Sequence, residues 1–375
     1  MKDIIVLGYG MVGSAIAFDL SKNHKVTVID KNEEAFNTYS TESTLSTIVG
    51  DALDCEFLKS VSADCDIIVS AVPGFLGYKV LENIINCKKN AVDISFFPED
   101  PFRLDKLAKS AGITAVVDCG LAPGMDNIFL GYYNTLMKVT SFLCLVGGLP
   151  KERKKPFEYK APFSPVDVIE EYCRPARLMQ DGEIVVKDAM SDIEKVDFDQ
   201  AGELEAFNTD GLRTLLESMA HIPNMKEKTL RYPGHISLIK SLKEAGFFSR
   251  SPVNVNGTQI SPLEVTSKIL TDDWKLLPDD EEFTVMRIVI EGEQEGDQQK
   301  ITYELHDKYD HKSNITSMAR TTGYTCTAVA NLVVNGQLIM PGIVPPELIG
   351  SNAGHFHFIL DYLSERGVFY NRLNC

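Results

Sequence analysis

Short apolar runs and amphipathic segments alternate along the first 120 residues, at intervals of about 20 residues. This alternation predicts parallel strands joined by helices, which is an α/β fold with a doubly wound parallel sheet of the Rossmann type. The predicted strands are 3–8, 25–30, 45–49, 66–70, 90–94 and 114–117. Helices are predicted where apolar residues recur at three- and four-residue spacing, at 12–21, 56–61, 76–85 and 102–111.

The pattern changes after Gly120. A helix is predicted at about 126–137 and an apolar strand at 141–146, and residues 283–291 and 300–307 alternate in polarity like a β-hairpin. Helices are also predicted at 317–334 and 354–366. We therefore expect a doubly wound domain at 1–120, an α+β domain at 121–316, and a C-terminal segment at 317–375 that returns to the first domain.

Composition and charge narrow the classes of partner. The chain has 44% hydrophobic and 24% charged residues, which is typical of globular proteins. A formal net charge of −16 opposes binding to nucleic acid or to an anionic membrane. No apolar run is long enough to span a bilayer and the first residues begin a strand, so a cytoplasmic protein is expected. The spacing of the eight cysteines matches no zinc motif, and no metal site is expected.

A glycine-rich turn follows the first predicted strand. Gly8, Gly10 and Gly13 of GYGMVG stand where a tight turn, a close approach of pyrophosphate and a helix–strand contact each exclude a side chain. Met11 and Val12 lie between these glycines and open the helix, whose amino terminus favours phosphate. The motif therefore predicts a dinucleotide site.

The second predicted strand ends at Asp30, 20 residues after Gly10. A carboxylate at this position can bind both ribose hydroxyls and repels a 2′-phosphate, so NAD is favoured as the cofactor. NADP is the lesser alternative, because the neighbouring Lys31 would tolerate its phosphate. Residues after the third and fourth strands are expected to line the same site because ligands bind at the carboxyl ends of parallel strands. They are Asp51, Ala52, Ser70, Ala71 and Val72.

Several segments together resemble one protein family. They are VVDCGLAPGMDN (116–127), VGGLP (146–150), EYCRPARLMQDGEIV (171–185), GELEAFNTDGLRTL (202–215), TLRYPGH (229–235), SMARTTGY (317–324) and PPELIG (345–350). They resemble the saccharopine dehydrogenase family, and most closely its lysine 6-dehydrogenase branch. The resemblance implies an NAD-dependent oxidoreductase that deaminates the ε-amine of L-lysine, or of a closely related amino acid, to 2-aminoadipate 6-semialdehyde. It also implies that the α+β domain binds the substrate and supports a homodimer.

Two alternatives stay open. The family also contains saccharopine reductases and carboxynorspermidine dehydrogenases, which act on related carbon–nitrogen bonds. In addition, the first domain resembles nucleotide-sensing domains of potassium transport systems, which bind nucleotides without chemistry. The second domain, of about 200 residues and rich in charged motifs, argues against a sensor.

Amine oxidation calls for a positioned base and for groups that hold an amino acid. Asp93, at the end of the fifth predicted strand, and His235, which titrates near neutrality when unperturbed, are the catalytic candidates. Arg231 is the first choice for the substrate carboxylate and Arg174 the second, because guanidinium forks match carboxylates. The remaining candidates would meet the substrate ammonium or add a polar contact: Glu203, Thr209, Asp210 and Asp126.

Overall fold

The computed structural model describes residues 1–38, 45–162, 165–277 and 280–373. In the first 120 residues, strands and helices alternate as predicted. The strands are β1 (Asp3–Leu7), β2 (Lys25–Asp30), β3 (Ser46–Val49), β4 (Ile67–Ser70), β5 (Asn90–Asp93) and β6 (Thr114–Val116). The helices are α1 (Met11–Ser21), α2 (Glu33–Thr38), α3 (Cys55–Val61), α4 (Gly74–Asn86) and α5 (Asp105–Ala111), the last preceded by a 3-10 turn at Pro101–Leu104.

The middle of the chain contains most of the strands of a second, mixed sheet. The strands of this part of the chain are β7 (Lys138–Pro150), β8 (Ala176–Gln180), β9 (Glu183–Lys187), β10 (Glu194–Phe198), β11 (Gly202–Asn208), β12 (Asn224–Arg231), β13 (Val253–Val255), β14 (Thr258–Ile260), β15 (Glu282–Gln294) and β16 (Asp297–Lys308), of which β13 and β14 form a separate two-stranded sheet. Its helices are α6 (Met125–Asn134), α7 (Pro165–Cys173), α8 (Leu215–Ser218), α9 (His235–Glu244) and α10 (Pro262–Trp274). The hairpin expected from alternating polarity is the pair β15 and β16.

The last part of the chain contributes to both sheets. It contains α11 (Ser317–Val334), β17 (Gly342–Val344), α12 (Pro346–Gly350), α13 (Ala353–Ser364) and β18 (Tyr370–Leu373). β17 pairs in parallel with β6, while β18 pairs with β16. The final elements therefore connect the two halves of the molecule.

The first sheet has seven parallel strands in the order β17-β6-β5-β4-β1-β2-β3. Buried residues of β1 alternate between the faces: Ile4 and Val6 join one core cluster, and Ile5 and Leu7 join another. Helices cover both clusters, so the doubly wound Rossmann architecture is confirmed. The sequence pattern predicted six strands, and the structure adds β17 as a seventh.

Helix α11 packs against α1 on one face of this sheet. A Cβ on Gly323 would lie 3.3 Å from the side chain of Ile16, so a small residue lets the two helices approach closely. Thr327 donates a hydrogen bond of 2.7 Å to the buried Asp19 of α1, and Arg366 pairs with the same carboxylate at 2.8 Å. The C-terminal segment is thus fixed to the first domain by packing and by a buried ion pair.

The second sheet has nine strands and follows the path β10-β11-β12-β7-β15-β16-β18, with β8 and β9 branching from β12. β7 and β12 run parallel, whereas the other pairs are antiparallel. β7 extends over 138–150, well beyond the predicted 141–146, because it pairs along nearly its whole length with β15. In the described parts of the chain, no helix is long and apolar enough to cross a membrane.

Candidate active site

A cleft of about 550 Å³ lies between the two halves of the molecule. One wall is formed by the carboxyl ends of β1, β2 and β4 and by the residues that follow β3 and β5. The other wall comes from β7, α7, the residues after β11, and β12. Ligands of doubly wound proteins bind at this edge of the sheet, so the cleft is the candidate active site.

The glycine-rich turn forms the end of the cleft next to β1. Gly8 has a φ of +91°, and a Cβ there would lie 2.5 Å from the carbonyl oxygen of Ala71. A Cβ on Gly13 would lie 2.1 Å from the carbonyl oxygen of Gly8. By contrast, no described atom lies within 4 Å of a Cβ placed on Gly10, which lines the cleft. Gly10 thus leaves room for a pyrophosphate in front of the α1 amino terminus.

Asp30 stands at the end of β2 and faces the same space. Its carboxylate accepts hydrogen bonds from the backbone of Tyr9 at 2.7 Å and of Asn32 at 2.8 Å, which fixes its orientation. Both Asp30 and Lys31 line the cleft. This arrangement fits the ribose of a dinucleotide, which Asp30 would hold through its hydroxyl groups.

The other predicted cofactor residues divide into two groups. Met11, Val12, Asp51, Ala52, Ala71 and Val72 all line the cleft. Ser70 is buried at the end of β4 and does not. The described residues include no cluster of three or more side chains suited to holding a metal ion.

Asp93 is fully buried directly behind the cleft wall. Its carboxylate accepts hydrogen bonds from the hydroxyl of Ser95 at 2.9 Å and from the Ser95 backbone at 3.1 Å, and Ser95 itself lines the cleft. Burial raises the pKa of Asp93 to about 7, against the opposing effect of its serine hydrogen bonds. The structure therefore places Asp93 one layer behind the position predicted for a base, with Ser95 between it and the cleft.

Arg231, at the end of β12, lines the cleft but already has partners. Its guanidinium donates to the Tyr172 hydroxyl at 3.0 Å, to the Leu230 carbonyl at 2.9 Å and to the Glu171 carboxylate at 3.2 Å. It also lies 4.4 Å from the ring centroid of Tyr159. Because Glu171 neutralises this cation, Arg231 is poorly placed to be the main partner of a substrate carboxylate.

His235 lies behind Arg231 in an aromatic cluster and does not line the cleft. Its Nδ1 is 2.9 Å from the Phe157 carbonyl and must donate, and its Nε2, 3.0 Å from the Tyr172 hydroxyl, then accepts. Burial and the nearby charge of Arg231 lower its pKa to about 3. The histidine is therefore neutral, and the role of base predicted for it does not fit this placement.

Arg174, at the end of α7, lines the cleft and is partly buried. Its guanidinium lies 5.2 Å from the ring centroid of Phe96, and it forms no salt bridge with any described residue. Asp210 is held by Arg177 through bonds of 2.8 and 3.0 Å, although it also lines the cleft. Thr209 lines the cleft as well.

Two predicted substrate residues lie away from the cleft. Glu203 is exposed on β11 and pairs with Lys195 at 2.8 Å, so the structure does not support its predicted role. Asp126 is buried at the start of α6, where its carboxylate accepts a hydrogen bond of 3.0 Å from the Gly124 backbone. Burial raises its pKa to about 7. Asp126 therefore influences the site electrostatically, from beneath its surface.

Sequence reasoning missed three carboxylates of the cleft, Asp167, Glu171 and Glu227. Glu227 sits between Lys226 and Lys228, so the local sequence is typical of a solvated strand. Only the pairing of β12 with β7 and β11 buries it. A period-two pattern that joins Glu227, Thr229 and Arg231, which all line the cleft, was the available signal.

The Rossmann sheet, the second mixed sheet and the cleft between them define a two-domain oxidoreductase architecture with a dinucleotide site. The family described as saccharopine dehydrogenase NADP binding domain matches residues 4–116, and the one described as saccharopine dehydrogenase C-terminal domain matches 120–368. The chain therefore belongs to the saccharopine dehydrogenase family, and the resemblance of its motifs to this family is confirmed.

Similar proteins act in different reactions. The NADP(+)-dependent, L-glutamate-forming saccharopine dehydrogenase of Saccharomyces cerevisiae is 27% identical over 259 residues, which cover 65% of this chain and 58% of that protein. The mitochondrial alpha-aminoadipic semialdehyde synthase of Rattus norvegicus is 25% identical, covering 70% of this chain and 30% of its own length. This chain thus spans less than two thirds of these relatives. Carboxynorspermidine synthase of Vibrio cholerae is 22% identical, covering 91% of this chain and 90% of that protein.

Solved structures agree on the fold. The apo L-glutamate-forming saccharopine dehydrogenase of S. cerevisiae superposes with a TM-score of 0.80 at 20% identity, over 100% of this chain and 99% of that one. The NAD complex of a homospermidine synthase from Legionella pneumophila gives a TM-score of 0.68 at 12% identity, over 100% and 91% of the two chains. At these identities the likeness concerns the fold alone.

Asp30 is expected to set the cofactor preference. Replacing Asp30 with serine removes the charged acceptor of two ribose hydrogen bonds and its repulsion of a 2′-phosphate. Because a hydrogen bond to a charged group contributes about 1.5–3 kcal/mol, NADH should bind roughly 10–150 times more weakly, while NADPH binding should improve. Calorimetric titration with both dinucleotides measures this ratio. Glu33→Ser, on the exposed face of α2, is the control, and an unchanged ratio in Asp30→Ser would contradict the assignment.

Proposed function

We propose that this protein oxidises the ε-amine of L-lysine, or of a closely related amino acid, with NAD and releases 2-aminoadipate 6-semialdehyde and ammonium. The observation that carries the proposal is the number of cationic side chains in the cleft that are free to bind a carboxylate. Arg174 forms no salt bridge with a described residue, whereas Arg231 is paired with Glu171. Lys275 also lines the cleft but is exposed at its rim. One well-placed guanidinium suits a substrate with a single carboxylate.

The acidic groups support an amine at the other end of the substrate. The wall formed by α7, the residues after β11 and β12 contributes four carboxylates to the cleft: Asp167, Glu171, Asp210 and Glu227. Glu171 is paired with Arg231 and Asp210 with Arg177, whereas Oε2 of Glu227 has no hydrogen-bond partner among the described residues. A cationic amine is favoured beside Glu227, because an opposite charge lowers the cost of burying it. A substrate with a carboxylate near Arg174 and an amine near these groups matches a basic amino acid.

The chemistry of the reaction sets what the residues must do. A bound nicotinamide dinucleotide supplies the hydride acceptor. Oxidation of the amine leaves a cationic iminium, and water converts this iminium to the aldehyde and ammonium, with atoms and charge conserved. The chain must therefore bind the carboxylate through Arg174, orient the amine, and hold the proton that the amine loses. NAD is proposed in preference to the NADP(+) named for the yeast relative because Asp30 faces the ribose position.

A row of hydrogen bonds runs from the Phe157 carbonyl through His235, Tyr172 and Arg231 to Glu171. This row would orient the side chains of the cleft wall and take no part in the chemistry. The neutral His235 accepts from Tyr172, which is also held by Arg231, and Arg231 in turn holds Glu171. Each member fixes the orientation of the next. We assign this row a positioning role, since only Arg231 and Glu171 line the cleft.

A second candidate is a carboxynorspermidine synthase type of activity, in which an aldehyde and an amine are joined by reduction of their imine. The match with the Vibrio cholerae relative, which covers nine tenths of both chains, favours it. A saccharopine-forming reaction is less well supported, because the glutamate arm adds two carboxylates and the cleft offers no second unpaired guanidinium among the described residues.

The test is a turnover assay that compares L-lysine, saccharopine and carboxynorspermidine as electron donors, each with NAD and with NADP. We expect NADH formation with L-lysine and little with saccharopine. NADH formation only with carboxynorspermidine would establish the second candidate. An absence of dinucleotide reduction with every amine, together with intact NAD binding, would revive the sensor alternative.

A further inference from the structure

We propose that Glu227 accepts the proton that the reacting ammonium loses, an inference that rests on the proposed function. Glu227 lies on β12, and its residue is 5% exposed, yet it lines the cleft. Its Oε2 atom is buried and has no hydrogen-bond partner among the described residues. A buried carboxylate oxygen without a partner is costly unless a ligand completes its contacts. Here the cleft provides the space for that ligand.

The Glu227 carboxylate packs directly against Gly211. A Cβ on Gly211 would lie 1.9 Å from the carboxyl carbon and both carboxyl oxygens of Glu227. The carboxylate therefore occupies the volume that any other residue at position 211 would fill. Thr229 and Arg231 follow Glu227 on the same face of β12 and also line the cleft. The strand thus presents an acceptor, a hydroxyl group and a fixed guanidinium in order along one wall.

Charged groups from several elements surround Glu227. Asp126 of α6, Glu171 of α7 and Asp210 after β11 are acidic neighbours, while Arg213 is the opposing cation. Burial comes first among the causes that raise the pKa of Glu227 well above its ordinary value, and the three carboxylates add to it. Hence the protonated form of Glu227 is favoured before the substrate binds. A cationic amine that binds beside Glu227 favours its carboxylate form.

The proton transfer is balanced within the cleft. When the cationic amine binds, Glu227 releases its own proton to solvent and becomes a carboxylate. One N–H bond of the substrate ammonium then breaks, its proton bonds to a carboxylate oxygen of Glu227, and the electron pair stays on nitrogen. Only this neutral amine has a lone pair to stabilise the developing iminium, so the transfer must precede oxidation.

Proton release on binding tests the inference without turnover. The protein with NADH, which cannot oxidise an amine, is titrated with L-lysine by calorimetry in buffers of different ionisation enthalpy. The wild type should release close to one proton per lysine bound at a pH where free Glu227 is protonated, and fewer at higher pH. Glu227→Gln should bind lysine with almost no proton release. Glu217→Gln, an exposed carboxylate of α8, should behave as the wild type.

Kinetics give the second readout. Loss of a positioned base typically costs 10²–10⁴-fold, so Glu227→Gln should lower kcat by about that factor, and its residual activity should rise with pH as solution deprotonates the amine. Gly211→Ala, which displaces the carboxylate, should also reduce both kcat and proton release. If the wild type oxidises lysine and Glu227→Gln keeps both kcat and proton release, this inference is wrong. If the wild type neither binds nor oxidises lysine, the proposed function is wrong instead.

Discussion

Replacing Arg213 with methionine is expected to lower the free energy of unfolding by about 3–5 kcal/mol, because it leaves the buried carboxylate of Asp118 without its partner. The two side chains are 4% and 0% exposed, and Nε of Arg213 donates to Asp118 at 2.8 Å. The same guanidinium donates to the Phe97 carbonyl and lies over the rings of Phe96 and Phe97. Urea denaturation followed by circular dichroism measures the change.

Two further variants test whether the lower free energy of unfolding comes from the buried charge of Asp118. Arg250→Met removes an arginine that is also bonded to a carboxylate, Glu170, but these two side chains are 69% and 33% exposed, so about 1 kcal/mol or less is expected. The double variant Asp118→Asn/Arg213→Met should be more stable than Arg213→Met, because no uncompensated charge remains. Equal effects of Arg213→Met and Arg250→Met would show that burial does not set the cost of breaking the Asp118–Arg213 pair.

Replacing Arg174 with alanine is expected to lower kcat/KM for L-lysine by roughly 10–150-fold, the equivalent of about 1.5–3 kcal/mol for a charge-assisted hydrogen bond. The effect should be confined to substrates that carry a carboxylate. Cadaverine, which is lysine without that group, should react slowly with the wild type and equally slowly with Arg174→Ala. The measurement is NADH formation as a function of each amine concentration.

The comparison of L-lysine with cadaverine distinguishes the loss of carboxylate recognition from the loss of the fold. A variant that had lost its fold would lose activity with both amines, whereas loss of carboxylate recognition affects L-lysine alone. Arg174→Lys should recover part of the loss, since a lysine retains the charge but not the planar fork. If kcat/KM for L-lysine is unchanged in Arg174→Ala, the carboxylate must bind elsewhere, and the buried Arg231 would become the alternative.

The fold of the first 120 residues was predictable because its signals are local. Each βα unit carries an apolar run, a turn and an amphipathic segment within about 20 residues, and these units supply six of the seven strands of the sheet. The missing strand, β17, has three residues and pairs with β6 more than 220 residues earlier. No local pattern distinguishes such a segment from a loop, since only its distant partner makes it a strand.

The cofactor half of the site was likewise predictable, because a strand, a turn and a helix amino terminus are contiguous in the sequence. The substrate half depends on pairing between distant strands. Glu203 and Glu227 are both glutamates in polar segments, yet β11 leaves the first exposed and β12 buries the second. His235 has the intrinsic properties of a base, but the Phe157 carbonyl and Tyr172 occupy its nitrogens. The sequence alone gives the residue types, but it does not give the partners that determine their roles.

The pairing of β17 with β6 also has a consequence for the order in which the chain folds during synthesis. β6 leaves the ribosome about 225 residues before β17, and the whole second sheet except β18 is made in between. Until then one edge of β6 has unpaired backbone groups, which is the kind of edge that pairs with other chains. The nucleotide-binding domain therefore completes its sheet only after most of the second domain has been synthesised.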